Sequence, residues 1–145
     1  MIHLENRILI DKPVDEVFKV VTDVAKWPEF LPSHRNMTII SQEEDKLLIE
    51  WKMKVKLKTS ILIDRINKRM VTEQLSGLVK GLRAEYIFNG QSGKTTLCLI
   101  HSFSSKIPLM GRLVELIALN LVKKLALDTL KRIKSKVEVG ECSMD

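Results

Sequence analysis

The chain has 145 residues, of which 45% are hydrophobic, 29% charged and 5% aromatic. That balance excludes a disordered or collagen-like chain and suits one domain with a core of Ile, Leu, Val and Met. Lys and Arg number 24 against 18 Asp and Glu, a formal charge of +6, which admits acidic partners without naming one.

The first residues alternate, with Ile2, Leu4, Ile8 and Ile10 set against His3, Glu5 and Arg7, and predict a half-buried strand over 2–11. Asp11-Lys12-Pro13 then reads as a helix start, with Asp11 as N-cap, Pro13 in the first turn, and Asp15 and Glu16 at the positive helix end. Val14, Val17, Phe18 and Val21 share one face of that helix. Residues 23–32 continue as a short helical or looped piece ending in two prolines.

From Asn36 to Phe103 the pattern is one of successive antiparallel strands. Turn signals fall at Glu43-Glu44-Asp45, Asn67-Lys68, Ser76-Gly77 with Gly81, and Asn89 to Gly93. Trp51, Met53, Val55 and Leu57 alternate with Lys52, Lys54, Lys56 and Lys58. The run 46–66 is too long for one ordinary strand, so two are expected, with a bend between them. Residues 108–138 predict one long helix, with Leu116, Leu119, Val122, Ala126, Leu130, Ile133 and Val137 as a single stripe. Its first half carries further apolar residues, Leu113, Val114, Ile117, Leu121 and Leu125, and is expected to cover a cavity, meet a partner or touch lipid. Residues 1–139 form the domain, and 140–145 are expected to be a disordered tail.

Cys98 and Cys142 stand far apart and read as thiols of a reducing compartment. The start Met1-Ile2-His3-Leu4-Glu5-Asn6-Arg7 lacks the pattern of a secretion signal, and no apolar run nears the roughly 18 residues of a membrane span. A soluble cytoplasmic protein is expected. No metal is expected, since His3, His34 and His101 lack ligand spacing and neither cysteine lies in a pair motif. Gly90-Gln91-Ser92-Gly93-Lys94-Thr95 is not a phosphate loop, because Phe88 stands where a glycine is required and a strand follows. No Gly-x-Ser-x-Gly elbow supports serine hydrolase chemistry.

Strand, helical pair, many strands and long C-terminal helix is the element order of the START-like helix-grip fold, an α+β class. The run Pro13-x-x-x-Val17-Phe18-x-Val20-Val21-x-Asp23-Val24-x-x-Trp27-Pro28-x-Phe30-Leu31-Pro32 resembles the signature of the polyketide cyclase/dehydrase and lipid-transport superfamily (START-like, SRPBCC). Ile49-Glu50-Trp51, Ile63-Asp64, the strand from Gly81 to Phe88, His101-x-Phe103 and the closing Thr129-Leu130-x-x-Ile133-Lys134-x-x-Val137-Glu138 fit as well. The resemblance implies a curved antiparallel sheet wrapped around a long C-terminal helix, with an elongated apolar cavity between them. It implies no single activity, because this fold hosts cyclases, quinone binders, lipid and hormone carriers, and toxins.

Aromatase/cyclases of the family usually carry a Trp and an Arg in the strand before the residue matching Asp64. Here that strand reads Lys58-Thr59-Ser60-Ile61-Leu62-Ile63-Asp64, with no arginine and no tryptophan in it, so the group expected there to polarise a carbonyl is missing. The expected function is therefore binding or transport of a hydrophobic small molecule: a lipid, an isoprenoid or quinone, or a polyketide-like compound. The expected wall is Trp51, Met53, Met70, Thr72, Tyr86, Phe88 and His101, with Phe30 and His34 at the mouth and Leu113, Leu116, Ile117 and Asn120 facing them from the helix. Each of these could instead simply fill the core. The alternative is a cyclase/dehydrase enzyme using His101 and Tyr86 as acid–base groups, and a third reading is an interaction module using the apolar helix half. No cofactor is called for. The lysine ladder reads as a solvated outer face or as a transient contact with an acidic membrane surface. Nucleic acid is not expected, because no aromatic residues interleave the lysines. The ligand's identity and the oligomeric state are not legible.

Overall fold

A computed structural model of the chain describes residues 2–52, 56–105, 107 and 109–140. Seven strands, β1 (Ile2–Ile10), β2 (Thr38–Glu43), β3 (Lys46–Lys52), β4 (Lys56–Asp64), β5 (Arg69–Gln74), β6 (Arg83–Gln91) and β7 (Lys94–Phe103), form one sheet. The order is β1-β7-β6-β5-β4-β3-β2, antiparallel throughout. Helices α1 (Val14–Thr22) and α2 (Trp27–Phe30) follow β1, and α3 (Gly111–Gly140) closes the chain. This is the α+β helix-grip architecture, a curved antiparallel sheet with a long C-terminal helix against it.

The turns fall where small or polar residues allow left-handed backbone. Ser92 and Gly93, with φ of 54° and 77°, join β6 to β7 where Gln91 pairs with Lys94, a two-residue loop whose twist matches the flanking strands. Two strands do occupy the 46–66 stretch. The apolar–lysine alternation therefore wraps around a hairpin: Trp51 faces Leu57 inside while Lys52 faces Lys56 outside. Met53, Lys54 and Val55 lie outside the described residues.

Helix α1 begins differently from the expectation. Pro13 is the N-cap, in extended backbone and with no side-chain cap bond. Asp11 instead gives its backbone N–H to the Glu138 carboxylate at 2.9 Å. Glu138 also accepts from Lys134 Nζ at 2.8 Å, and the same ammonium reaches Leu9 O at 2.6 Å. The residue that would cap α1 is thus used to tie the last turns of α3 to the end of β1. Val17, Phe18 and Val21 are buried beneath α1 as their spacing predicts. The helix sits so close to β6 that a Cβ on Gly90 would lie 2.7 Å from Val14 Cβ.

Helix α3 begins at Gly111 rather than 108, since Leu109 has φ of 67° and left-handed backbone cannot continue a right-handed helix. Its buried stripe is Val114, Ala118, Val122, Ala126, Leu130, Ile133 and Val137. Leu116 is exposed and not on that stripe, and Leu119 is only half-buried. The correction follows from spacing: the stripe runs in steps of four through its first half, so it enters through Val114 and Ala118, which are small enough for close approach to β1 and β7. The main core joins α1 (Val17, Phe18, Val21), the inner faces of the strands (Ile10, Ile49, Ile61, Met70, Leu97, Leu99) and the second half of α3.

Candidate functional site

Between α3 and the concave face of the sheet lies a cavity of about 120 Å³. The sheet contributes inward-facing positions at every second residue: Trp51 from β3, Leu57 and Thr59 from β4, Thr72 and Gln74 from β5, Ala84 and Tyr86 from β6, and Leu99 and His101 from β7. Leu121, Val122, Leu125, Ala126 and Thr129 close it from α3, and Trp27, Leu31, Ser33 and His34 from the α2 region. Val79 and Leu82 complete the lining. No Asp, Glu, Lys or Arg lies among these described lining residues.

One end is a cluster of rings. His34 stacks on Trp51 with centroids 4.4 Å apart and meets Trp27 edge-on at 5.3 Å. Trp27 is anchored by its Nε1, which donates to Val21 O at 2.8 Å, and His34 Nδ1 lies 2.9 Å from Ser33 Oγ. A short polar chain crosses the floor beside it. Trp51 Nε1 donates to Thr59 Oγ1, which donates in turn to Gln74 Oε1, each at 2.9 Å. The indole and the hydroxyl are thereby both satisfied in an apolar setting.

The register sets the rest of the floor. Thr72 pairs with Ala84, and Ala84 with His101, so these side chains form one row across β5, β6 and β7. Tyr86, two residues beyond Ala84, is the diagonal neighbour of both Thr72 and His101. Burial pushes the Tyr86 hydroxyl up to about 12 and holds both imidazoles down at about 4, because the charged form of each would lose its hydration. His101 Nδ1 is buried without a hydrogen-bond partner, as is Nδ2 of Asn6. Asn6 pairs with Leu99 and is His101's diagonal neighbour on β1.

The geometry brings together His34, Trp51, Thr72, Tyr86 and His101 from the expected wall. It sets others elsewhere. Met70 and Phe88 are in solid core, Phe88 meeting Phe18 edge-on at 5.1 Å. Phe30 packs against the core instead of the mouth. Leu113, Leu116, Ile117 and Asn120 are exposed on the far side of α3, a displacement that follows from the entry of its stripe through Val114 and Ala118. Met53 lies outside the described residues. Thr59 and Gln74 went unnoticed although each sits in phase with the inward residues of its strand. Leu121 and Leu125, from the extra apolar residues expected to cover a cavity, meet a partner or touch lipid, do line this cavity beside Val122 and Ala126 of the buried stripe, whereas Thr129 carried no such signal.

An open groove of about 770 Å³ runs along the Leu75–Gly81 loop, Ser102 to Ser105 and Ile107, sharing Gln74 with the cavity. Cys98 is buried on the opposite side of β7, its Sγ donating to Glu5 Oε1 at 3.3 Å. Among the described residues, no three His, Cys, Asp or Glu side chains gather as a metal would require. No helix there is long and apolar enough to cross a membrane.

A curved sheet closed by one long helix over an apolar cavity defines a helix-grip protein. Residues 10–128 match the family described as polyketide cyclase/dehydrase and lipid transport, and the chain belongs to that family. Among solved structures it is similar to the Zhui aromatase/cyclase from Streptomyces sp. R1128, with a TM-score of 0.85 at 16% identity over 95% of this chain and 94% of that one. It is similar to TTHA0849 from Thermus thermophilus, with a TM-score of 0.79 at 17% identity over 96% and 99%. A START superfamily protein from Mycobacterium smegmatis gives 0.71 at 12% identity over 94% and 97%. At these identities the likeness is one of fold. A sequence search of curated proteins finds no match. The family description fits hydrophobic-ligand binding and cyclase roles alike.

Proposed function

We propose that this chain binds a hydrophobic small molecule, of lipid, isoprenoid or polyketide-like character, in the cavity between α3 and the sheet. The observation that carries this reading is an internal space walled mainly by apolar side chains, with a few polar groups at set positions, the usual form of a small-molecule site. Binding is favoured over cyclisation by the state of the ionisable groups. His34 and His101 at about 4 and Tyr86 at about 12 are all far from the neutral range in which an acid–base catalyst works best. No arginine or lysine among the described lining residues stands ready to stabilise an enolate.

The volume limits what is held inside. About 120 Å³ is close to the roughly 150 Å³ of a cavity that holds benzene and below the roughly 300 Å³ of a drug-sized site. One ring or a short branched segment fills it. A longer ligand leaves past Gln74 into the adjoining groove, with the segment from Trp27 to Pro32 or the first half of α3 moving to admit it. The test is titration of 1,4-dimethylbenzene into the protein, followed by NMR shifts of residues along the wall. Saturable shifts at Thr72, Ala84 and Leu125, abolished by Ala84→Phe in a protein that still melts cooperatively, are expected. Shifts unaffected by the filled floor would contradict the reading.

A second feature favours contact with an anionic membrane surface during exchange of the ligand. Leu109, Met110, Leu113, Leu116 and Ile117 are exposed together at the start of α3, with Arg112, Lys123 and Lys124 around them. Such apolar surface flanked by cations suits an interfacial helix. Flotation with anionic vesicles, lost in Leu113→Asp/Ile117→Asp, is expected; a dimer in solution without flotation would move this face to an interaction module.

A further inference from the structure

The cavity carries information about the ligand's polar end that its apolar character does not. Thr72, Ala84 and His101 form one cross-strand row, and adjacent strands are about 4.8 Å apart, so the backbones that carry the two polar side chains are about 10 Å apart, with only a methyl between them. All three residues line the cavity. The alanine leaves a dip in the floor there, overlooked by Thr72, His101 and the diagonal Tyr86. His101 Nδ1 is buried without a hydrogen-bond partner, a state that is unfavourable for a polar group removed from water; Asn6 Nδ2, likewise unpartnered, lies on β1 outside the cavity lining.

We infer that this dip receives an uncharged oxygen-bearing group of the ligand, a hydroxyl or carbonyl carried on a ring, and rejects carboxylates and phosphates. The inference rests on the reading of the cavity as a small-molecule site. A ligand oxygen on the His101 side of Ala84 can donate to or accept from the neutral His101 ring, depending on its tautomer. An ionised group there would lose its hydration with no cation among the described lining residues to replace it. His101 does not provide that cation at neutral pH, since burial already holds its imidazole in the neutral form.

Two matched pairs of single-ring probes test this, titrated by calorimetry or NMR at neutral pH. Comparison of 4-methylbenzamide with 4-methylbenzoate varies charge at constant shape. Comparison of 4-methylphenol with 1,4-dimethylbenzene varies only the hydroxyl. The benzamide is expected to bind at least about tenfold more tightly than the benzoate, a difference of about 1.4 kcal/mol. The phenol is expected to bind more tightly than the hydrocarbon although it is the less hydrophobic of the two, and the ratio of their affinities is expected to reverse in His101→Leu. Equal affinity for benzamide and benzoate, or a phenol preference that survives His101→Leu, would overturn the inference and leave the cavity reading intact. Failure of all four probes to bind would overturn the cavity reading and this inference together.

Discussion

Thr59 shows how much one hydroxyl does at this site. It is buried at 3% exposure, accepts from Trp51 and donates to Gln74, so it fixes the indole that stacks on His34. Thr59→Val keeps the shape and leaves the indole N–H and the Gln74 carbonyl without their partner. A loss of about 1–3 kcal/mol in urea unfolding is expected, with a change in Trp fluorescence as Trp51 is released. Unchanged stability and emission would mean that the indole finds another acceptor. Trp51, Thr72, Tyr86 and His101 were legible as inward-facing because alternation along a strand needs no knowledge of its neighbours. Met70 and Phe88 have the same alternation but are buried in the main core, Phe88 against Phe18 of α1. Only the packing of the layers separates lining from filling. The Thr72–Ala84–His101 row was not legible, since it depends on the register of three strands.

At the scale of elements, the strand sequence, the hairpin turns and the long last helix follow from periodicity and turn residues. Their ends do not. The start of α1 depends on Glu138, more than a hundred residues away, which takes the N–H of Asp11, and the start of α3 depends on the backbone of Leu109. Gly90 is a further case: in sequence it belongs to a turn signal, but in the structure it admits α1 against β6. Gly90→Ala would drive a methyl to within 2.7 Å of Val14 Cβ. A loss of about 1–3 kcal/mol is expected from overpacking, read as a lower denaturant midpoint, and Val14→Ala in the same chain should recover part of it. An unchanged midpoint would show that α1 shifts freely over the sheet.

For the whole molecule, the buried imidazoles make stability depend on pH. His34 and His101 resist protonation down to about 4, whereas in the unfolded chain a histidine protonates near its ordinary 6.5. Between those values the unfolded state binds more protons, so their contribution is complete above about pH 6.5 and drains away as the pH falls toward about 4. The urea midpoint should therefore drop between about pH 7 and about pH 5, and His101→Gln, which does not titrate there, should flatten that drop. A His101→Gln profile parallel to the parent's would place the loss on other groups.

The central claim is that the space between α3 and the sheet belongs to a ligand. The most direct test is native mass spectrometry of the protein purified from its own host, with organic extraction of what comes with it. The account predicts one apolar molecule per chain, bearing a ring with an uncharged oxygen, and its loss in Ala84→Phe. A bare protein mass from the host, or an associated molecule that Ala84→Phe retains in full, would contradict it.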